Sequence, residues 1–143
     1  MAIDIKPLFN GTHGAVWVTL DSQEFKVGEM KTFKAKQTNS YEDVDVSEVF
    51  TKQRKLVGVE LTGEFTKFKA DSNFINIAER NKNGETVEVS IVGKAYNPET
   101  KLVQRVKLEG VTFDEFMLID LEQKTLTEES LPFAFTDYSW LEK

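Results

Sequence analysis

The stretch LVGVELTGEFTKFK, residues 56–69, alternates apolar and polar side chains along most of its length. One face carries apolar side chains, at Val57, Val59, Leu61 and Phe65, and the opposite face carries Glu60, Thr62, Glu64 and Thr66. A repeat of two residues is typical of a β-strand with one buried face and one face in water. The pattern therefore predicts a long, half-buried strand.

Shorter runs rich in β-branched and aromatic residues lie on both sides of this stretch and predict a mainly β fold. These runs are residues 14–20, 24–27, 30–35, 86–96, 102–108, 111–113 and 131–138. Residues 116–121 are almost continuously apolar, which predicts a segment buried on both faces. Tyr138 and Trp140 fit a core or edge position as well as a partner-facing surface.

One α-helix is expected between the strands. Ser72 or Asp71 can cap its start, and Asn83-Gly84 can end it. Between these ends an apolar stripe is formed by Phe74, Ile75, Ile77 and Ala78.

Two segments do not fit a compact β domain. Residues 38–55 are mixed and polar, and an unstructured connection of that length is unusual and often functional. Val44 and Val46 alternate there with aspartates, which is a strand pattern that we expect to have no partner within its own subunit. Residues 1–12 form an N-terminal arm with apolar side chains before the first clear strand. The length of 143 residues fits a single domain, residues 1–143.

Composition excludes several classes of function. The net charge of −6 disfavours binding to nucleic-acid phosphates or anionic membranes, because both depend on Lys and Arg. The chain has no cysteine, which excludes disulfide and thiolate chemistry and fits a bacterial cytosolic origin. The N-terminus lacks the pattern of a signal peptide, and no apolar run is long enough to predict a membrane-spanning helix.

Catalytic and metal-binding motifs are not found in the sequence. His13 is the single histidine, so neither a histidine-dependent triad nor a usual zinc site is expected. The acidic run from Glu42 to Glu48 lacks the glycine and the final glutamate of a calcium loop. The glycines form no phosphate-binding loop. We therefore expect no enzyme activity, no cofactor and no metal.

Several segments, in order, resemble the tail tube proteins of contractile-tailed phages, defective prophages and phage-tail-like (R-type) bacteriocins. The resemblance begins with the strand from Gly14 to Asp21 and with Glu24, and continues with Lys31-Thr32-Phe33-Lys34-Ala35 before a long polar loop. Leu61-Thr62-Gly63-Glu64-Phe65 and a helix that starts near Ser72 follow. The most specific segment is Glu128-Glu129-Ser130-Leu131-Pro132-Phe133-Ala134-Phe135-Thr136-Asp137-Tyr138.

This resemblance implies a β-sandwich or barrel-like subunit with one helix. Six subunits would form a ring whose sheets join around a central channel, and rings would stack into a tube inside a contractile sheath. The implied partners are further copies of the chain, the sheath protein, and the baseplate and tail-terminator proteins. DNA would pass through the channel if the particle is a phage, without sequence-specific binding. The implied location is a virion tail or phage-tail-like particle, assembled in the bacterial cytoplasm.

Two sets of residues are predicted to act in assembly. Contacts between rings are predicted for Tyr41, Val44, Val46, Val49 and Phe50 of the long loop and for Ile3, Ile5, Leu8 and Phe9 of the arm. An acidic channel wall is predicted from Glu60, Thr62, Glu64, Thr66, Glu88 and Ser90. The alternative function is a ligand- or carbohydrate-binding β-barrel module, which would be a monomer.

Overall fold

The computed structural model describes residues 5–11, 14–28, 30–48, 50–69 and 72–143. These residues form nine strands and one helix. The elements, in chain order, are β1 (Ala15–Leu20), β2 (Gln23–Lys26), β3 (Met30–Val44), β4 (Gln53–Phe68), α1 (Asn73–Lys82), β5 (Val89–Asn97), β6 (Leu102–Glu109), β7 (Thr112–Phe113), β8 (Glu128–Ala134) and β9 (Asp137–Glu142). The mainly β prediction is confirmed.

The strands form two antiparallel sheets that pack face to face. Sheet A has the order β2-β1-β5-β6-β9, and sheet B has the order β3-β4-β8-β7. Buried residues of both sheets and of α1 belong to one hydrophobic core. Strands that alternate between buried and exposed residues contribute one face each to that core, which is how a β-sandwich is built.

Phe65 on β4 lies at the centre of the core and is fully buried. Its ring centroid lies 6.2 Å from Phe33, 5.4 Å from Phe74, 6.2 Å from Phe113 and 6.1 Å from Phe133. These rings come from β3, α1, β7 and β8, so one side chain connects four elements. Tilted and edge-on aromatic pairs at such distances stabilise a core beyond simple area burial.

An ion pair is buried beside this cluster. Lys67 on β4 and Glu129 on β8 are register partners, and Lys67 Nζ lies 3.0 Å from Glu129 Oε2. Their side chains are only 1% and 4% exposed. The ammonium also lies 5.6 Å from the centroid of the Phe74 ring. Removing one member would leave a buried charge without its partner, which typically costs about 3–5 kcal/mol.

Helix α1 forms where the sequence predicts it. Phe74 and Ile77 are buried, while Ile75 and Ala78 are half-buried. Ser72 is the N-cap residue but makes no side-chain capping bond, and Asp71 lies outside the described residues. The helix ends at Lys82, with Asn83 as its C-cap residue and Gly84 in the left-handed region. The side chain of Arg80 donates to Glu85 and to Asp21, and these hydrogen bonds raise the pKa of Arg80. The bond from Arg80 also lowers the pKa of Glu85.

The prediction of a loop at residues 38–55 is wrong in its secondary structure. β3 and β4 continue through this region as an antiparallel hairpin, with Val44 opposite Gln53. The predicted strand pattern around Val44 therefore has its partner within the same subunit. Long polar side chains obscured the pattern, because both faces of this hairpin lie outside the core.

Two further predictions need correction. Residues 116–121 are not buried on both faces: Leu118, Ile119 and Leu121 are 75%, 72% and 75% exposed. The final predicted strand, residues 131–138, is two strands in different sheets, β8 and β9. The chain changes sheets around Thr136, whose backbone N–H donates to Glu109 O.

Gly63 on β4 lies where a side chain has no room. A Cβ atom there would lie 2.5 Å from Phe133 Cζ and 2.6 Å from Lys34 O. Gly58 in the same strand provides a comparison, because its Cβ would lie 3.8 Å from Ser40 Cβ, an ordinary contact. The glycine at position 63 therefore lets β3, β4 and the Phe133 ring pack closely.

We predict that Gly63→Ala destabilises the subunit by about 1–3 kcal/mol, the usual cost of overpacking a core. Gly58→Ala should be neutral or slightly stabilising, because glycine inside a strand is roughly 0.5–1 kcal/mol less favourable than alanine. Urea unfolding of both variants measures the difference. Equal unfolding midpoints for the two variants would contradict the packing argument.

Candidate functional site

The hairpin of β3 and β4 extends beyond the sandwich. β8 pairs with β4 only from Phe68 to Thr62, whereas β3 follows β4 to its start at Gln53. Residues 38–44 and 53–60 thus form a two-stranded ribbon, which we call the projecting ribbon. Among its described residues only Gly58 is half-buried, and the others are exposed. An isolated two-stranded ribbon is only marginally stable in water, so its apolar residues need a partner surface.

One apolar row leaves the core and continues along the projecting ribbon. Directly paired residues of an antiparallel ladder lie on the same face. Phe33 opposite Phe65 belongs to the core-facing side, and the same side continues through Leu61 to the ribbon. There it carries Val59 opposite Asn39 and Leu56 opposite Tyr41. On the ribbon, Val59 is 51% exposed, Leu56 is 49% exposed and Tyr41 is 44% exposed.

The predicted inter-ring residues of the long loop lie on β3 and at the tip of the β3–β4 hairpin. Tyr41 and Val44 lie on β3, and Val46 and Phe50 lie at the tip of the hairpin; all four are exposed. Val49 lies outside the described residues. The tip of the hairpin therefore presents exposed apolar side chains. Next to the tip, the guanidinium of Arg54 lies 4.2 Å from the centroid of the Tyr41 ring.

The N-terminal arm lies at the end of β5. Asn97 Nδ2 donates to Lys6 O at 2.7 Å and to Leu8 O at 3.2 Å. Ile5, Leu8 and Phe9 remain exposed, while Ile3 lies outside the described residues. A buried asparagine thus holds the arm's backbone and leaves its apolar side chains on the surface.

Four of the predicted channel residues share the outward face of sheet B. Glu60, Thr62, Glu64 and Thr66 alternate with side chains that point toward the core. Ser130 Oγ donates to Glu64 Oε1 at 2.8 Å across the β4–β8 pair. The alternation of apolar and polar residues in the sequence therefore correctly placed these four residues on one face of a strand.

The other two predicted channel residues lie elsewhere. Ser90 is on β5 of sheet A, between the buried residues Val89 and Ile91, so it points outward on the opposite side of the sandwich. Glu88 is exposed and precedes β5. The six residues consequently do not share one surface, because the alternation on β5 belongs to the other sheet.

The outward face of sheet B is not uniformly acidic, as the sequence had suggested. Lys34 stands opposite Glu64, and Lys31 Nζ lies 2.8 Å from Glu128 Oε1. The charged residues on this face include Lys31, Lys34, Lys36, Glu60, Glu64 and Glu128, and the Glu42–Lys55 pair continues the face along the projecting ribbon. Positive and negative charges therefore balance there, because the lysines come from β3, which sequence reasoning did not pair with β4.

An apolar groove between the sheets was not predicted from the sequence. It has a volume of about 490 Å³ and lies beside the edge strand β3, with Phe33, Val106 and Trp140 in its walls. Trp140 stands opposite Val106 on the core-facing side of sheet A but remains 46% exposed. Only the presence of aromatic residues near the end of the sequence gave a signal for this groove.

The described residues hold no cluster of three or more His, Cys, Asp or Glu side chains suited to a metal ion. No helix within the described ranges is long and apolar enough to span a membrane.

Solved structures share this fold. A chain from the sheath-tube complex of an extracellular contractile injection system, PVC, in the extended state aligns with a TM-score of 0.73 at 5% identity, over 97% of this chain and 96% of that one. A chain from the tube-terminating cap of the anti-feeding prophage (AFP) has a TM-score of 0.70 at 7% identity, with 100% and 97% coverage. A chain from the virion of a gene transfer agent has a TM-score of 0.54 at 14% identity, with 92% and 97% coverage.

At these identities the likeness concerns the fold alone. Comparison with curated protein sequences gives no match. The family model described as phage tail tube protein matches residues 1–142, which is nearly the whole chain. It covers both sheets, the projecting ribbon and the groove, and it agrees with the resemblance seen in the sequence. The chain therefore belongs to the phage tail tube protein family.

Proposed function

We propose that this chain is the repeating subunit of the inner tube of a contractile phage tail or of a phage-tail-like particle such as an R-type bacteriocin. Residues 1–143 act as one tail-tube domain that forms hexameric rings, and the rings stack around a central channel. The observation that carries this proposal is the projecting ribbon, whose apolar row continues the core face into solvent. In a tube, the next ring can cover such a surface and remove its apolar side chains from water.

Open sheet edges support ring formation. Within the described residues, β3 and β7 are the outer strands of sheet B, and each pairs with a single neighbour. An exposed strand edge is a template for pairing with another chain. A contact between two different edges of identical subunits is heterologous, so it generates a closed ring when the rotation fits.

Stacking is assigned to the projecting ribbon and the arm. The proposed inter-ring residues are Tyr41, Val44, Val46, Val49 and Phe50, together with Ile3, Ile5, Leu8 and Phe9. Burial of a Val or Phe side chain contributes about 1.5–3 kcal/mol. The contribution is repeated in every subunit of a ring, so stacking should be cooperative.

The channel wall is assigned to the outward face of sheet B, with Glu60, Thr62, Glu64 and Thr66. Balanced lysines and glutamates on this face produce little net attraction for phosphates. Such a wall lets DNA or another cargo pass without strong adhesion. Sheet A then faces the surrounding sheath, and the ends of the tube meet the baseplate and terminator proteins. We infer that assembly takes place in the bacterial cytoplasm.

A ligand-binding β-barrel module remains the second candidate, and the groove of about 490 Å³ is the observation that favours it. Its volume and apolar walls fit a small ligand. This candidate requires a stable monomer of 16.3 kDa that does not polymerise.

The proposed function predicts that the purified chain forms rings or tubes with six-fold symmetry, either alone above a threshold concentration or when a baseplate initiates growth. Negative-stain microscopy and light scattering test this expectation. A sample that stays monomeric at high concentration with the baseplate present would refute the tube and favour the ligand-binding module.

The stacking role predicts that Val44→Asp combined with Val46→Asp leaves the subunit folded and raises the threshold concentration for tube growth at least tenfold. The physical reason is the loss of two buried apolar contacts and the gain of charge at each stacking site. Ser47→Asp combined with Thr51→Asp is the control, because it adds the same charge to the tip without removing an apolar side chain. Equal effects of the two pairs would assign the loss to charge alone.

The channel assignment predicts that a cysteine at position 64 reacts much more slowly with a bulky thiol reagent in tubes than in dissociated subunits. The native chain has no cysteine, so Glu64→Cys introduces the single reactive thiol. Ser90→Cys on the opposite sheet should show no such protection in tubes without sheath. Protection at position 90 and none at position 64 would mean that sheet A lines the channel.

A further inference from the structure

The connection between β7 and β8 carries an apolar segment, Phe116-Met117-Leu118-Ile119-Asp120-Leu121, which is exposed from Met117 onward. Met117, Ile119 and Leu121 are 42%, 72% and 75% exposed. In an extended chain these three alternate residues lie on one face. Exposed side chains of this size, close together in the chain, are unusual on a monomer and mark an interaction surface.

The segment is held at two points. The Phe116 ring lies 5.5 Å from the Phe113 ring, and Lys69 Nζ donates to Leu118 O at 3.2 Å. Neither contact covers the side chains of Ile119 or Leu121. The segment is thus attached to its own subunit on one side while its apolar face stays open.

The groove beside β3 combines apolar walls with an unpaired strand edge. Ala95, Val106 and Trp140 of sheet A form a floor that sheet B does not cover, and Phe33 of β3 forms one wall. β3 pairs with β4 on one side, and within the described residues no strand pairs with its other side. A further strand placed beside β3 would therefore extend sheet B and cover this floor.

The two surfaces belong to opposite edges of one sheet. The groove lies beside β3, and the apolar segment follows β7, in a sheet with the order β3-β4-β8-β7. Contact between them in two copies is heterologous, and repetition around an axis closes a ring.

We propose that residues 116–121 of one subunit lie beside β3 of the next subunit, as a strand added to sheet B, and place Met117, Ile119 and Leu121 in the apolar groove. The proposal rests on ring formation by this chain. It explains why Trp140 is exposed on the core-facing side of sheet A, and why a strongly apolar run is exposed in the single subunit.

Disulfide trapping tests the contact, because the chain has no native cysteine. Subunits with Met117→Cys, Ile119→Cys or Leu121→Cys are each assembled with an equal amount of Ala95→Cys subunits and then oxidised. At least one of the three mixtures should give ten times more cross-linked dimer than the control Leu126→Cys, which is 72% exposed in the same connection. The double variant with the best cysteine and Ala95→Cys should give a ladder that ends at the ring size.

Microscopy of the same samples separates the two levels of the proposal. If rings or tubes form and none of the three cysteines exceeds the Leu126→Cys control, the docking of residues 116–121 is wrong while the tube function stands. Cross-linking of the double variant only within single chains would also overturn the docking. If neither the unaltered chain nor the variants form rings with the baseplate present, both the docking and the tube function fail.

Discussion

Phe65 contacts aromatic rings from β3, α1, β7 and β8, and this cluster determines how the two sheets and the helix meet. The strand that carries it, β4, is longer than the core that it crosses. Its first half therefore leaves the sandwich together with β3 and forms the projecting ribbon. The same row of apolar side chains is thus buried in one half of β4 and exposed in the other half.

Three surfaces stay uncovered in a single subunit, and the projecting ribbon is the one that this mismatch in length creates. The projecting ribbon, the groove beside β3 and the segment 116–121 each expose apolar side chains in the isolated chain. Exposed apolar side chains carry a free-energy penalty in water, and the proposed association with another copy would remove it. In this proposal the same effect drives folding within a subunit and assembly between subunits.

Electrostatic pairs add specificity to this apolar framework. The buried contact between Lys67 and Glu129 forms only in the observed register of β4 and β8, because a shift of β8 by one residue would turn Glu129 to the opposite face and away from Lys67. Such pairs are better known for selecting one arrangement than for adding net stability. On the outward face, Lys34 opposite Glu64 keeps the proposed channel wall close to neutral.

The sequence by itself determined the fold class, the helix, the alternation on β4 and the family resemblance, because local periodicity and end signals are properties of neighbouring residues. It also pointed to residues 38–55 as unusual, although it did not reveal their pairing. Tertiary structure alone decided that Ser90 faces away from Glu64, that Lys34 of β3 opposes Glu64 of β4, and that residues 117–121 are exposed. These facts depend on which strands become neighbours and on which sheet covers which face, and contacts between distant residues leave no periodic signal in the sequence.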